Sequence, residues 1–201
     1  MAREWEDLAG GDLWGLLRED KVMDKKELRQ KVISVPGPFP DSDLIWERIE
    51  TISGFEDSDI VLLYWSIPGE VDTHEFIRRW HGKKKVVPPR VTGDVLELRE
   101  YSPGYMVEGY RGILEPSGEA PLVRADEIGF AIVPGMAFDV RGGRLGRGKG
   151  YYDRLLPSLG CIKAAVAFPH QIVDAVPMER HDVRMDMVIT PNNCYLCTFD
   201  I

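Results

Sequence analysis

The sequence predicts an α/β fold, an open three-layer α/β/α arrangement around a mostly parallel, Rossmann-like central sheet. Short apolar runs alternate along the chain with stretches of helical spacing. Several of these runs are continuous rather than alternating, as expected of strands that are buried on both faces. The 201 residues suit one domain whose core needs no disulfides.

The N-terminal part of the chain is predicted to be helical. Residues 1–22 are interpreted as an added helical extension whose apolar side chains could pack on the main domain or on a second copy. Residues 23–201 are expected to form the single domain. Within it, the rigid segment 35–40, VPGPFP, should separate a first helix from a second one capped by Asp41 or Ser42.

The next elements form one β-α-β step. Residues 59–65, DIVLLYW, predict a central strand, and residues 70–80 have helical spacing. A short strand at 85–87 should end at a Pro-Pro pair, because proline cannot donate to a sheet. Residues 94–100 alternate apolar and charged side chains, so they predict a strand at the edge of the sheet with one solvated face.

A second series of elements follows an exposed polar loop, predicted at 117–127. Strands are expected at 128–133, 161–168 and 187–190, and a helix should begin at Gly150. This alternation extends the parallel sheet.

Composition excludes several classes of function. A formal charge of −8 argues against a general nucleic-acid binder, which needs a basic surface. The apolar stretches are too short to span a membrane, and the first residues lack the apolar core of a secretory signal. Three cysteines in a chain of this length suggest a reducing compartment. We therefore expect a cytoplasmic protein with neither nucleic-acid nor membrane partners.

Cys194 and Cys197 form a C-x-x-C pair, which leaves two interpretations open. One is a redox or metal site, although no second pair for zinc is present. The other is that both residues belong to a last strand, CYLCTFD.

The strongest local signal is the loop at residues 139–156, DVRGGRLGRGKGYYDRLL. Its glycines let main-chain N–H groups approach an anion, and Arg144, Arg147 and Lys149 add positive charge. Together with the N-terminus of the helix that follows, such a loop predicts a polyphosphate site. The alternative is a solvated basic loop with glycines at its turns.

A metal ion would need ligands outside this loop. Residues 143–149 match the first seven positions of G-x-x-x-x-G-K, but Gly150 stands where a serine or threonine would hold magnesium. Asp153 and Asp186 are the candidate carboxylates, since magnesium prefers few carboxylates together with phosphate oxygens and water. Asp186 could equally be a turn residue.

Glu70 lies where the first strand gives way to its helix. Open α/β sheets place ligand contacts at this position. The alternative is an acidic residue that is favourably placed near a helix N-terminus.

The run at 132–139, IVPGMAFD, with the run at 144–153, RLGRGKGYYD, resembles the signature of the 5-formyltetrahydrofolate cyclo-ligase family. Shorter matches occur at 25–29, 70–73, 112–116 and 179–190. The resemblance covers residues 23 to about 191. It implies an open three-layer α/β fold and ATP- and Mg²⁺-dependent closure of 5-formyltetrahydrofolate to 5,10-methenyltetrahydrofolate, with release of ADP and phosphate.

The resemblance also implies residue roles. The catalytic residues would be Arg147, Lys149 and Tyr152, and magnesium would be held by Asp153 and Asp186. The residues that would bind ATP are Lys25, Arg29, Arg144, Leu145, Gly146, Arg147, Gly148, Lys149, Gly150, Tyr151 and Tyr152. The residues that would bind the folate are Trp65, Glu70, Arg147, Gly148, Lys149, Gly150 and Tyr151.

The implied chemistry needs no covalent enzyme nucleophile. ATP would phosphorylate the formyl oxygen on N5, N10 would attack, and phosphate would leave as the ring closes. The partners would be 5-formyltetrahydrofolate and ATP, with the protein a monomer or a weak homodimer. Two other classes stay open: a non-catalytic relative that binds nucleotide or RNA, and a sugar-phosphate or CoA-handling enzyme on a similar scaffold.

Overall fold

A computed structural model of the protein describes residues 23–37 and 42–197. The predicted N-terminal extension, residues 1–22, lies outside the described residues, as does Asp41. Across the described ranges, no helix has the length and apolar character needed to cross a membrane.

The chain forms five helices and twelve strands within these ranges, joined by loops and single 3-10 turns. In order they are α1 (Lys25–Ile33), α2 (Asp43–Glu50), α3 (Ser53–Glu56), β1 (Ile60–Leu63), α4 (His74–Trp80), β2 (Lys85–Val87), β3 (Pro89–Thr92), β4 (Val95–Leu98), β5 (Met106–Glu108), β6 (Leu114–Pro116), β7 (Phe130–Val133), β8 (Ala137–Phe138), β9 (Arg144–Leu145), α5 (Tyr151–Leu155), β10 (Ile162–Val166), β11 (Met187–Ile189) and β12 (Cys194–Leu196).

Six strands form the central sheet in the order β12-β11-β10-β7-β1-β2. All neighbours are parallel except β12, which runs antiparallel to β11. The chain adds β2 on one side of β1 and then places β7 on the other side. The prediction of a mostly parallel sheet is confirmed, and the strand order reverses between β1 and β7.

Burial on both faces explains why the strands appear in the sequence as continuous apolar runs. Val61 and Leu63 of β1 pack in one core cluster, while Leu62 between them packs in the cluster on the opposite face. α2, α3 and α4 supply Ile45, Phe55 and Phe76 to the first cluster. The second face is covered by α5, the 3-10 turn after it and β4. Each buried side chain of this size contributes roughly 1.5–3 kcal/mol.

The first helix, α1, packs away from the central sheet. Asp24 caps it by accepting hydrogen bonds from the main-chain N–H groups of Lys26 and Glu27, and Glu27 completes a capping box. Its buried Leu28 and Val32 belong to a third cluster with residues of β8, β9 and the segment 173–178. This packing holds α1 beside the glycine-arginine loop.

Two sequence predictions differ from the structure. The strand expected at the sheet's edge within 94–100 is β4, but it pairs with β3 in a separate antiparallel hairpin. Its two-residue Gly93-Asp94 turn brings the chain straight back, which is typical of hairpins and not of an added parallel strand. The helix expected from Glu70 begins at His74, because residues 67–70 first form a turn.

Candidate active site

The functional residues gather where the strand order reverses, at the carboxyl ends of β1 and β7. Tyr64 and Trp65 follow β1, and Pro134 and Gly135 follow β7. Open α/β sheets bind their ligands at such a switch point, because the loops of the two neighbouring strands diverge there and leave a crevice.

A buried carboxylate shapes the approach to the glycine-arginine loop. Asp139, which is 1% exposed, accepts hydrogen bonds from the N–H groups of Arg141 and Gly143 at 2.9 Å and of Val176 at 2.8 Å. Gly142 has φ = 81°, and a Cβ there would lie 2.3 Å from the main-chain oxygen of Met185. The loop is therefore fixed at its base by the rest of the fold.

Two cavities flank this loop. The first has a volume of about 340 Å³, and its walls are mostly apolar and aromatic. They include Tyr64, Trp65, Leu96, Tyr110 and Tyr151. The second has a volume of about 620 Å³, and charged side chains dominate its walls. They include Lys25, Lys26, Arg29, Glu179 and Asp182.

The loop is the wall that the two cavities share. Both are lined by Arg144, Gly146, Gly148, Gly150 and Asp153. A group bound in the aromatic cavity and a group bound in the charged cavity would therefore meet the same loop from its two sides.

Arg144 lies buried at the centre of that wall. Its Nη1 donates to the main-chain oxygen of Pro134 at 3.1 Å, and its Nη2 donates to Asp153 Oδ1. The guanidinium also stands 5.7 Å from the centre of the Tyr152 ring. Its Nε has no hydrogen-bond partner among the described residues. A buried cation of this kind is held in place by its carboxylate partner and is poised to face an anion.

Tyr152 has a buried hydroxyl that likewise lacks a partner among the described residues. Burial raises the pKa of this hydroxyl, and the negative charge of Glu70 raises it further, while Arg144 acts in the opposite direction. The group therefore stays protonated and can donate a hydrogen bond. An unsatisfied buried hydroxyl costs about 1–3 kcal/mol, so Tyr152 is a candidate to donate a hydrogen bond to a ligand.

Arg147 crosses from the loop to the end of β1. Its Nε and Nη2 donate to Glu70 Oε1 at 3.1 and 2.9 Å. The other carboxylate oxygen, Oε2, accepts from the N–H of Ile67 at 3.1 Å. Glu70 and Arg147 both line the aromatic cavity, together with Trp65.

The two basic residues of α1 have different partners. Arg29 Nε donates to the main-chain oxygen of Gly146 at 2.9 Å. Lys25 Nζ lies 2.6 Å from Asp182 Oδ2 and 2.9 Å from Glu179 Oε1. Partial burial lowers the pKa of Lys25, but these two carboxylates outweigh that effect and raise it above its ordinary value. Lys25 therefore remains a cation at the rim of the charged cavity.

The remaining predicted loop residues also line a cavity. Lys149 is exposed and contributes to the aromatic cavity, as does Tyr151. The Tyr151 ring meets Tyr110 edge-on, with centres 6.3 Å apart. Leu145 is buried and forms part of the wall of the charged cavity. The structure thus gathers the predicted ATP and folate residues around one loop.

The two predicted metal ligands have different partners in the structure. Asp186 Oδ2 accepts from the N–H of Lys163, level with Ala131 of the neighbouring strand. Asp153 instead joins Arg144, which reaches Pro134, three residues beyond Ala131. The two aspartates therefore belong to different hydrogen-bonded groups.

Asp153 alone fits a magnesium ion that is held mainly by phosphate oxygens. It stands on the wall shared by both cavities, whereas Asp186 lines neither. No cluster of three or more histidine, cysteine or acidic side chains suited to a metal occurs within 23–37 and 42–197. Magnesium commonly takes one carboxylate, substrate phosphates and water, so the single aspartate is compatible with it.

Several cavity residues were missed in the sequence. The hairpin β3–β4 contributes Val91 and Leu96 to the aromatic cavity, and the β5–β6 segment contributes Tyr110, Ile113 and Glu115. Neither hairpin carries a cluster of glycines and basic residues like that of the glycine-arginine loop. The only signal was the GILEP run at 112–116, which supported the family resemblance but suggested no role for Glu115.

Cys194 and Cys197 adopt the strand interpretation. Cys194 begins β12, Cys197 directly follows its last residue, and both are free thiols. Cys194 is exposed, whereas Cys197 packs in the core, and burial raises the pKa of the Cys197 thiol to about 11. Burial also raises the pKa of Cys194. A redox pair needs a lowered thiol pKa, so this environment does not favour one.

Comparisons with a family model and with known proteins lead to the same family. The sequence profile of the 5-formyltetrahydrofolate cyclo-ligase family matches residues 16–191. The chain is 39% identical over 101 residues to the 5-formyltetrahydrofolate cyclo-ligase of Mycolicibacterium smegmatis, covering 48% of this chain and about half, 51%, of that protein. It is 33% identical over 147 residues to the enzyme of that name from Escherichia coli K12, covering 67% of this chain and 79% of that one.

Solved structures of proteins similar to this chain share its fold. The solution structure of a 5,10-methenyltetrahydrofolate synthetase from Aquifex aeolicus superposes with a TM-score of 0.79 at 33% identity. The match covers 89% of this chain and 95% of that one. A synthetase of the same name from Mycoplasma pneumoniae, at 23% identity and a TM-score of 0.64, shares the fold.

Proposed function

The chain belongs to the 5-formyltetrahydrofolate cyclo-ligase family, and on that premise we propose that it converts 5-formyltetrahydrofolate to 5,10-methenyltetrahydrofolate at the expense of ATP. One observation carries this proposal. An aromatic cavity and a charged cavity share the glycine-arginine loop as a common wall. A reaction that joins an apolar, ring-containing substrate to a nucleotide phosphate needs such a pair of sites.

The aromatic cavity suits the folate. Trp65, Tyr110 and Tyr151 offer flat apolar surfaces for the pteridine and benzoyl rings. The charged cavity suits the triphosphate, because Arg29 and Lys25 approach it from α1 and the loop presents main-chain N–H groups. In this assignment the γ-phosphate reaches the loop from one side and the formyl group from the other.

The first chemical step is phosphoryl transfer. The formyl oxygen attacks the γ-phosphorus, the bond to the bridging oxygen breaks, and ADP leaves. Arg147 and Lys149 neutralise charge on the transferred group, and the protonated Tyr152 hydroxyl donates a hydrogen bond to one of its oxygens. Arg144, fixed by Pro134 and Asp153, keeps a positive charge at the point of transfer.

The second step closes the ring. N10 attacks the activated formyl carbon and loses its proton, and the carbon–oxygen bond to the phosphate breaks as the methenyl bridge forms. The protein aligns the two reacting groups and needs to supply no nucleophile of its own. The apolar walls of the first cavity exclude water, which would otherwise hydrolyse the activated formyl group.

Magnesium would be held by Asp153 together with phosphate oxygens. When bound, the ion would neutralise charge on the triphosphate. Asp186, which lines neither cavity, is better placed to orient the amino end of β10 through the N–H of Lys163. A cytoplasmic location and a monomer or weak homodimer remain part of this proposal.

An absorbance assay tests the function directly. Purified protein is mixed with 5-formyltetrahydrofolate, Mg²⁺ and ATP, and the absorbance band of the methenyl product is followed, with each component omitted in turn. We expect a rise that requires all three components. Folded protein that forms no product but is stabilised against heat by ATP would support a non-catalytic nucleotide-binding relative. Folded protein that forms no product and is not stabilised against heat by ATP would favour the sugar-phosphate or CoA class.

A further inference from the structure

We infer that Glu115 orients the folate by accepting hydrogen bonds from the 2-amino group and the adjacent ring N–H of its pteridine. This inference rests on the proposed function, since it places the folate in the aromatic cavity. It adds a recognition residue on β6, a strand outside the glycine-arginine loop.

Glu115 is a buried carboxylate in a cavity with mostly apolar walls. The residue is only 6% exposed and yet lines the aromatic cavity. Placing a carboxylate in such a setting is costly unless it is well hydrogen-bonded or serves a ligand.

The fold makes room for this carboxylate. A Cβ on Gly109 would lie 2.2–2.4 Å from the end of the Glu115 side chain, so a larger residue there would displace the carboxylate. Glu115 Oε2 accepts from the N–H of Val91 at 3.1 Å, which ties β6 to the hairpin β3–β4. The carboxylate therefore has a fixed position.

Its hydrogen-bonding capacity is only partly used. A carboxylate has about four acceptor sites, and the Val91 N–H occupies one of them. The nearest cationic atom, Arg90 Nε, stands 3.9 Å from Oε1, beyond hydrogen-bond distance. Arg90 instead donates from Nη1 to the main-chain oxygen of Pro116 at 2.9 Å. Acceptor sites on Glu115 remain for a ligand.

Glu70, a second carboxylate of this cavity, is already engaged. Its Oε1 receives both donors of Arg147, and its Oε2 receives the Ile67 N–H. The 2-amino group and ring N–H of a pteridine form two nearly parallel donors, which a carboxylate can accept as a pair. Asp153, the third carboxylate of this cavity, is paired with Arg144, so Glu115 has the most acceptor capacity to offer the two pteridine donors.

The test measures binding, which does not depend on turnover. Glu115→Gln keeps the side chain's shape and an oxygen for the Val91 N–H, but it presents an NH₂ group to the pteridine donors. We expect its Kd for 5-formyltetrahydrofolate, measured by calorimetry, to rise about 10- to 100-fold. The Kd for ATP and the melting temperature should stay unchanged. Glu119→Gln, at an exposed position four residues further along the chain, is the matched control and should bind as the wild type does.

A folate analogue separates direct contact from an indirect effect. In this analogue a methyl group replaces the 2-amino group of 5-formyltetrahydrofolate. The wild type should bind it about 10- to 100-fold more weakly than the parent compound, whereas Glu115→Gln should distinguish the two by less than about threefold.

Unchanged folate affinity in Glu115→Gln would overturn the inference, as would weaker binding with the full wild-type discrimination. Product formation by the wild type tests the proposed function separately. Turnover together with unaffected Glu115→Gln binding would leave that function standing and remove only the role of Glu115. A wild type that binds no folate would overturn both.

Discussion

Arg147 donates two hydrogen bonds to one carboxylate oxygen of Glu70, from Nε at 3.1 Å and from Nη2 at 2.9 Å. The two residues are 77 positions apart in the sequence. The Glu70 side chain is 9% exposed, whereas that of Arg147 is 48% exposed. The pair ties the glycine-arginine loop to the end of β1 and so fixes one side of the aromatic cavity.

Replacing Arg147 alone, and then together with Glu70, should separate the effect of Arg147 on catalysis from its effect on stability. We expect Arg147→Ala to lower kcat about 100- to 1000-fold, because in the proposed mechanism it removes a charge that would face the transferred phosphate. It should also cost about 1–2 kcal/mol of unfolding free energy, since the buried Glu70 loses its partner. Adding Glu70→Gln should restore stability without restoring activity. Arg78→Ala, which breaks an exposed pair with Glu75, is the control. Near-normal turnover in Arg147→Ala would contradict the proposed role of the loop.

The hydroxyl of Tyr152 should contribute to catalysis but not to the stability of the free protein. Because it is buried without a partner among the described residues, Tyr152→Phe should leave stability unchanged or raise it by up to about 1 kcal/mol. The same variant should lower kcat about 100-fold. Tyr64→Phe is the matched control, because the buried Tyr64 hydroxyl donates to the main-chain oxygen of Val71 at 3.0 Å.

Removing that bond in Tyr64→Phe should cost about 1–2 kcal/mol. Urea unfolding and steady-state kinetics of both variants check this contrast. A Tyr152→Phe protein that is destabilised but fully active would reverse the assignment.

A methyl group at Gly142 should destabilise the protein at the base of the loop. Its positive φ of 81° disfavours alanine, and the added Cβ would meet the Met185 oxygen at 2.3 Å. We expect Gly142→Ala to cost at least about 2 kcal/mol in urea unfolding. Gly160→Ala, where a Cβ meets nothing within 4 Å, should change stability by less than about 1 kcal/mol. Equal effects of the two substitutions would show that the loop base tolerates rearrangement.

The contact between Lys25 and Asp182 should make stability depend on acid pH. Partial burial raises the pKa of Asp182, but the hydrogen bonds from Lys25 and from the Glu179 N–H lower it below its ordinary value. Its contribution is therefore complete above the unfolded aspartate pKa of about 3.9 and is lost as the pH falls through the folded value. The pKa of Lys25 is raised, so its contribution is lost only in strong alkali, above about pH 10.4.

Asp182→Asn should cost about 1 kcal/mol at pH 7, and its difference from the wild type should shrink below pH 4. Urea unfolding between pH 3 and pH 7 measures this, with the exposed Asp174→Asn as control. A difference that stays constant down to pH 3 would contradict the ion pair's contribution.

The strands of the central sheet could be predicted because each one carries its own pattern. The runs at 59–65 and 128–133 are apolar on both faces, and this alone indicates parallel strands between covering layers. The glycine-arginine loop could be predicted for the same reason, since its glycines and cations are neighbours in the chain. Only β4 was misplaced, because alternation predicts an exposed strand face without naming the strand's partner.

The sequence by itself determined the type of sheet, the loop and the class of ligand that the loop suits. The tertiary structure decided which distant side chains meet: Arg147 with Glu70, Lys25 with Asp182, and Asp186 with Lys163 rather than with Asp153. It also brought two unremarkable hairpins, with Glu115, into the aromatic cavity. Local patterns encode backbone conformation and burial, but contacts between residues far apart in the chain depend on how whole elements pack, which no single segment specifies.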